Sequence, residues 1–461
     1  MIYGIGHVAT RFITFLLLPY YTNVFSPNEY GMVSLAYAFI GFLIIIYRYG
    51  MDTALMKFSV QKTGPERGLY ISNIFIIQII TAIIFSGLLY LLRNSISEVL
   101  LGINRPRWMV YISLILFLDL FWNLPLLLLR SQNKPISFIS ISLINVVLTM
   151  GFNIYFISYL NLGVEGVLIS NCISSFIVFF LCIPYLWKNI KFNHFDKGIL
   201  LKLIKFSIPF LPAGIFTMVM ELSDRYIIDF YMTTSDVGIY SAGKKIGTLG
   251  LVVVMAFNMG WTPYFLRRIK TPNAKKDFAE ITSLFLFILG LFCLSISLFI
   301  PELMAVSFNG KYIISQDFWT CKSIVSSILL GYYFFGLYVV QLPGVYAVGK
   351  TSFVPLFRFF GASGIIISGL MLTPSFGLIG LSYAVVLSYF LMSVSVYVFN
   401  QKFYKIKYKF SSIFYPISFL IISQFNWESI LLRFLILCTY LLGWYFLILN
   451  KNKSSFIENK I

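Results

Sequence analysis

Charged side chains one helical turn apart recur inside stretches of this sequence that are otherwise apolar, and these residues have chemistry to offer. Arg48 and Asp52 are four apart. So are Glu221, Arg225 and Asp229, which stack acid, base and acid on one helical face where they can neutralise one another. Asp224 points about 100° away from that face and has no obvious local partner. Arg11, in VATRFITFLLLP, has His7 one turn earlier, and Asp119 is the single charge of its apolar stretch. Lys244 and Lys245 differ by about 100° around a helix, so one can line a cleft while the other pairs with a neighbouring helix, Asp224 being one partner. Among the deep members cations outnumber carboxylates. Such a lining suits an anionic group, and arginine matches phosphate through its planar fork of donors.

The elements that position these residues must cross a bilayer. Of 461 residues 59% are hydrophobic, 18% aromatic and only 11% charged, and the mean hydropathy is +0.86; globular domains are about 45–50% apolar. About fourteen apolar stretches of membrane-crossing length run from residues 2–24 to 429–449, and no train of alternating ten-residue strands suggests a barrel. The expectation is an all-α integral membrane protein with about 14 transmembrane helices. A net charge of +18 would point to nucleic acid in a soluble protein. Here the cations gather in alternate loops, KNIKFNHFDKGILLK (188–202), RRIKTPNAKKD (267–277) and QKFYKIKYK (401–409), whereas the NLGVEG and TPSFG turns carry none. That asymmetry places the basic loops and both termini in the cytoplasm, with the lipid bilayer rather than nucleic acid as partner.

A charge at the bilayer centre costs roughly 2.5–3.5 kcal/mol on insertion scales, so function is the default reading of the deep ones. Bland alternatives stand beside it: Arg11 buried against a carboxylate such as Asp119, Arg48 with Asp52 as an interfacial ion pair, and Glu221, Arg225 and Asp229 as a self-paired surface ladder. Arg358 and Arg433 lie about one turn inside their spans and read as snorkelling cations.

No connection exceeds about 18 residues, which leaves no room for a soluble catalytic domain. Cys172, Cys182, Cys293, Cys321 and Cys438 are odd in number, form no CxxC and read as small buried hydrophobes. His7 and His194 are too few and too far apart for a metal site, and no cofactor is expected. No cleavable signal peptide is evident; a start upstream of Met1, or a first helix beginning at the membrane surface, both fit.

Two stretches repeat. SPNEYGMVSLA (26–36) overlies TTSDVGIYSAG (233–243) at an offset of 207, and LGVEGV (162–167) overlies FGLIGL (376–381) at 214. The chain then divides into six-helix lobes at 1–190 and 191–400, parallel repeats about an axis along the membrane normal, with two further helices and a short tail in 401–461. Ser207-Ile208-Pro209-Phe210-Leu211-Pro212 interrupts the seventh span, as a flex point or a packing kink.

LLLPYYTNVFSPNEYG, DTALMKF (52–58), RSQNKP (130–135) and DRYIIDFYMTTSDVGIYSAGKKIG (224–247) together resemble the Wzx-type polysaccharide-biosynthesis flippases of the multidrug/oligosaccharidyl-lipid/polysaccharide exporter superfamily. The resemblance covers most of the chain. It implies two six-helix lobes with two extra C-terminal helices, and transfer of an undecaprenyl-diphosphate-linked oligosaccharide across the bacterial cytoplasmic membrane by alternating access. It also implies a cationic cleft for the diphosphate, matched here by Arg11, Arg48 and Lys244 or Lys245. Asp52, Asp119, Glu221, Asp224 and Arg225 remain as charge partners or coupling groups for H⁺ or Na⁺. Polysaccharide polymerase and assembly proteins are the implied protein partners.

Three other functions compete. A multidrug or cation antiporter on the same fold wants a deep carboxylate, for which Asp119 qualifies, yet the first span offers Arg11 instead. A membrane glycosyltransferase or polymerase wants a larger outer loop than PELMAVSFNGKYIISQDF. A flippase for another cell-wall precursor would need the same features.

Overall fold

The computed structural model describes residues 15–446 except Thr63, Ile103, 191–194, Asn309 and Asn426. Among them ten helices are long and apolar enough to cross a membrane, so the chain is a multi-pass membrane protein. Large apolar side chains such as Ile83, Leu91, Ile367 and Leu431 lie exposed, as a lipid-facing surface requires. Among the described residues the departure from helical structure is a two-residue pairing of β1 (Ser307–Phe308) with β2 (Lys311–Tyr312).

The chain forms two compact units. One runs to Asp229 and also holds Thr233–Gly238; the other holds Phe230–Met232 and the chain from Ile239 on. The contact boundary thus falls after the seventh apolar stretch, while the lobe boundary expected from the sequence is 190/191.

In the first unit, α1 (15–24) leads to α2 (Pro27–Arg48), α3 (Met51–Gln61), α4 (Gly64–Leu91), the short α5 (Arg93–Leu101), α6 (Pro106–Ser131), α7 (Pro135–Asn153) and α8 (Gly163–Asn189). Two more follow, α9 (Lys197–Ser207) and α10 (Leu211–Tyr231), joined by a 3-10 turn at Ile208–Phe210. The buried centre is α6, which touches α2, α3, α4, α5, α7 and α8. It is apolar on nearly every face, the pattern of an enclosed helix.

The second unit contains α11 (Thr234–Arg268) after its first turn, α12 (Ala274–Leu298), α13 (Ile300–Ala305), α14 (Lys322–Ala347), α15 (Val354–Phe403), α16 (Phe410–Ile422) and α17 (Ile430–Trp444). Its enclosed centre is α14, flanked by α12, α15 and α16. Gly377, at φ 57 and ψ −138, folds α15 back on itself, and Ser388 Oγ donates to Gly361 O at 2.7 Å between the halves. Arg433 does not snorkel. It is buried, its Nε donates to Trp427 O at 2.6 Å, and its guanidinium pairs with Glu302 at 2.5 Å. The residue was placed by depth in its own helix, and the acid comes from α13.

Both repeated stretches adopt matching local structure. Ser26 caps α2 by accepting from Glu29 N, and Glu29 reaches back to Ser26 N at 2.9 Å; Thr233 and Asp236 make the same reciprocal pair, with Asp236 accepting from Thr233 N at 3.1 Å. The two turns cross closely. A Cβ on Gly31 would lie 1.9 Å from Thr234 O, and one on Gly238 would lie 1.9 Å from Pro27 O. Gly163 and Gly377 both take positive φ, 56 and 57, each opening a helix.

Candidate functional site

A break in the second membrane helix sets out the charges of the first unit. Tyr49 and Gly50 both take left-handed backbone, φ 30 and 80, so α2 stops at Arg48 and α3 restarts at Met51. Arg48 therefore occupies a helix C-terminus and Asp52 a helix N-terminus, each at the pole that favours its charge. A Cβ on Gly50 would lie 2.3 Å from Ser207 O, and Ser207 Oγ lies 3.4 Å from Met51 Sδ. This break is thus seated against the interruption between α9 and α10.

Arg48 is half-buried and feels the charges of both Asp52 and Asp119. Among the described residues it closes no direct ion pair with either, and its buried Nε has no hydrogen-bond partner. Asp52 instead accepts from Thr53 N at 3.0 Å. The expected four-apart ion pair is replaced by longer-range attraction, because the left-handed residues between them interrupt the helical register.

Asp119 lies on α6 and accepts from Trp122 Nε1 at 2.8 Å and from the buried Ser175 Oγ on α8 at 2.5 Å. On α8, Asn171 Nδ2 donates to Tyr37 Oη of α2 at 3.3 Å. A polar path thus runs from Tyr37 through Asn171 and Ser175 to Asp119, with Arg48 in electrostatic reach. Sequence reasoning missed Tyr37, Trp122, Asn171 and Ser175. Spacing flags the local pairs, Trp122 three after Asp119 and Ser175 four after Asn171, but not that α6 and α8 bring them together.

At α10 the Arg225 guanidinium reaches two neighbouring residues. Asp224, which the helical wheel leaves without a local partner, is fully buried and accepts from the Arg225 guanidinium at 3.3 Å. The flexible arginine stem bends back far enough to reach the adjacent residue, and its Nη1 also donates to Glu221 O at 3.1 Å. Glu221 is half-buried. Asp229 turns to the next helix start and accepts from Thr234 Oγ1 at 2.9 Å.

In the second unit, Gly243, Gly247 and Gly250 turn one face of α11 onto α14, where added Cβ atoms would meet Ile324, Ile328 and Leu329. Beside that face Lys244 is 3% exposed and Lys245 half-buried, so Lys245 is the more accessible cation. Both engage neighbouring groups. Arg11 and His7 lie outside the described residues.

The arrangement can bind and neutralise charge. Arg48 offers donors to an anion, and Asp119 with Ser175 offers acceptors to a cation or proton. The family profile described as "Polysaccharide biosynthesis protein" matches residues 1–268. The "Capsular polysaccharide biosynthesis protein CapF" of Staphylococcus aureus is 22% identical over 86% of this chain and 97% of its own. The "Lsg locus putative protein 1" of Haemophilus influenzae is 22% identical over 71% of this chain and 80% of its own. Among solved structures, the lipid II flippase MurJ in an inward closed conformation superposes with a TM-score of 0.73 at 15% identity, covering 96% of this chain and 98% of that one. An inward-facing multidrug resistance MATE family transporter gives 0.68 at 14% identity, covering 85% and 94%. These chains share the fold.

Proposed function

The chain belongs to the polysaccharide biosynthesis protein family, and from that membership we propose that it flips a lipid-linked oligosaccharide across the bacterial cytoplasmic membrane by alternating access. The observation that carries the reading is Arg48, a half-buried guanidinium whose Nε has no partner among the described residues. A diphosphate supplies the missing acceptors. Its linkage to undecaprenol follows from the family resemblance, and the glycan is a repeat unit of O-antigen, capsule or exopolysaccharide.

In this reading the lobes are 1–190 and 191–400, residues 401–461 add two helices, and both termini are cytoplasmic. Arg11, Arg48, Lys244 and Lys245 hold the diphosphate while the polyprenyl tail stays in lipid. No bond is made or broken, so the protein is a transporter and not an enzyme. Polysaccharide polymerase and assembly proteins act beside it. Membrane potential offers about 2.3 kcal/mol per charge per 100 mV, and Asp119 is the group suited to H⁺ or Na⁺ coupling. Arg11→Ala is expected to abolish surface glycan in a cell that depends on this chain, with normal protein levels; full complementation would remove Arg11 from the site.

Asp119 also favours a second reading, a cation or multidrug antiporter. Vesicles that expel drugs, from cells lacking any glycan defect, would establish it in place of the first.

A further inference from the structure

Away from Arg48, three lysines of the first unit gather around one aromatic stack. Phe58 on α3 and Tyr70 on α4 stack at 4.7 Å, and Phe206 on α9 meets Phe58 edge-on at 5.6 Å. Lys57 Nζ lies 4.0 Å from the Phe206 ring centre and 5.3 Å from that of Phe58. Lys202 Nζ lies 5.9 Å from the same Phe58 ring and donates to Tyr70 Oη at 3.2 Å. Lys62 Nζ sits 5.9 Å from the Tyr70 ring and is paired with Glu66 at 2.6 Å, which holds its pKa above the ordinary lysine value.

One carboxylate therefore answers three ammoniums. Ring faces attract cations and offset part of their repulsion, but they provide no hydrogen-bond acceptor. Lys57 makes no hydrogen bond among the described residues. Arg67, one turn before Tyr70 on α4, has its buried Nε and Nη2 without a partner among the described residues. Snorkelling lysines would splay toward water; these converge on one set of rings from α3, its C-cap and α9.

We propose that Lys57 and Lys202, gathered on the Phe58–Tyr70–Phe206 platform, with Arg67 one turn before Tyr70 on α4, form a second anion site that takes a phosphate or diphosphate headgroup. The headgroup comes either from the lipid-linked substrate before it reaches Arg48 or from an anionic bilayer lipid. The first source rests on the flippase reading and the second does not. Lys57 is nine residues beyond Arg48 in sequence and lies on α3, across the break at Tyr49 and Gly50.

Residue-resolved acetylation of the full-length protein in vesicles tests this. In neutral phosphatidylcholine, millimolar inorganic pyrophosphate is expected to slow acetylation of Lys57 and Lys202 about tenfold, as charge-assisted hydrogen bonds form. Lys275, which sits 4.6 Å over the Tyr404 ring in the second unit, serves as reference and keeps its rate. Protection by pyrophosphate identifies a diphosphate site. Protection only when phosphatidylglycerol is added to the vesicles identifies a bilayer-lipid site. Unchanged rates under both conditions overturn the proposal. Lys202→Gln, at an exposed position, is expected to reduce the protection of Lys57, and Lys202→Arg to keep it. Because the readout is local, it stands or falls independently of glycan export.

Discussion

Arg48→Ala is expected to abolish glycan export, with the protein still inserted and folded in the membrane. Truncation removes the guanidinium and its fork of donors for phosphate. Charged hydrogen bonds contribute about 1.5–3 kcal/mol each, so losing two reduces substrate binding by at least about a hundredfold. Arg48→Lys keeps the charge and loses the fork, and is expected to retain partial export. Removing the cation also leaves Asp52 and Asp119 without its attraction. Their own hydrogen bonds, to Thr53 N and to Trp122 and Ser175, limit the effect on stability. Surface glycan measured at matched protein levels, together with melting of the purified variants, separates the two contributions.

Gly31→Ala and Gly238→Ala are each expected to destabilise the protein by about 1–3 kcal/mol, the range for overpacking. Glycine to alanine within an exposed helix normally stabilises by about 1 kcal/mol, so the sign itself is diagnostic. Here each new methyl carbon would lie 1.9 Å from a carbonyl oxygen, of Thr234 or Pro27, and backbone must move to admit it. Both substitutions press on the same crossing of two capped helix starts. Once one has parted them the second meets less resistance, so the double variant should lose less than the sum. Thermal melts of all three variants in detergent measure this, and a full additive loss would show that the two contacts are independent.

How much was legible in the sequence depends on the range of the interaction. Capping is local: Ser26 with Glu29 and Thr233 with Asp236 are three apart, and both pairs can be read from the repeated stretch. Apolar length made the membrane helices readable for the same reason. The break at Tyr49–Gly50 was not, since no proline marks it and its left-handed backbone is seated against Ser207, far along the chain. Asp119 was identifiable as a lone charge in an apolar run, but its partner Ser175 arrives with α8. Arg433 was misread as snorkelling because its acid, Glu302, lies on another helix. Asp224 was misread for a different reason: helical angles describe where Cβ atoms point, and a long arginine stem is free to reach its own neighbour.

The central claim is translocation of lipid-linked glycan. Its most direct test is purified protein reconstituted in vesicles holding a fluorescent polyprenyl-diphosphate oligosaccharide, with an impermeant glycosidase outside to score which leaflet the sugar occupies. Protein-containing vesicles are expected to expose the initially protected inner-leaflet sugar, and Arg48→Ala vesicles to behave like protein-free ones. Equal protection with and without the wild-type protein, across imposed membrane potentials and H⁺ or Na⁺ gradients, would contradict it.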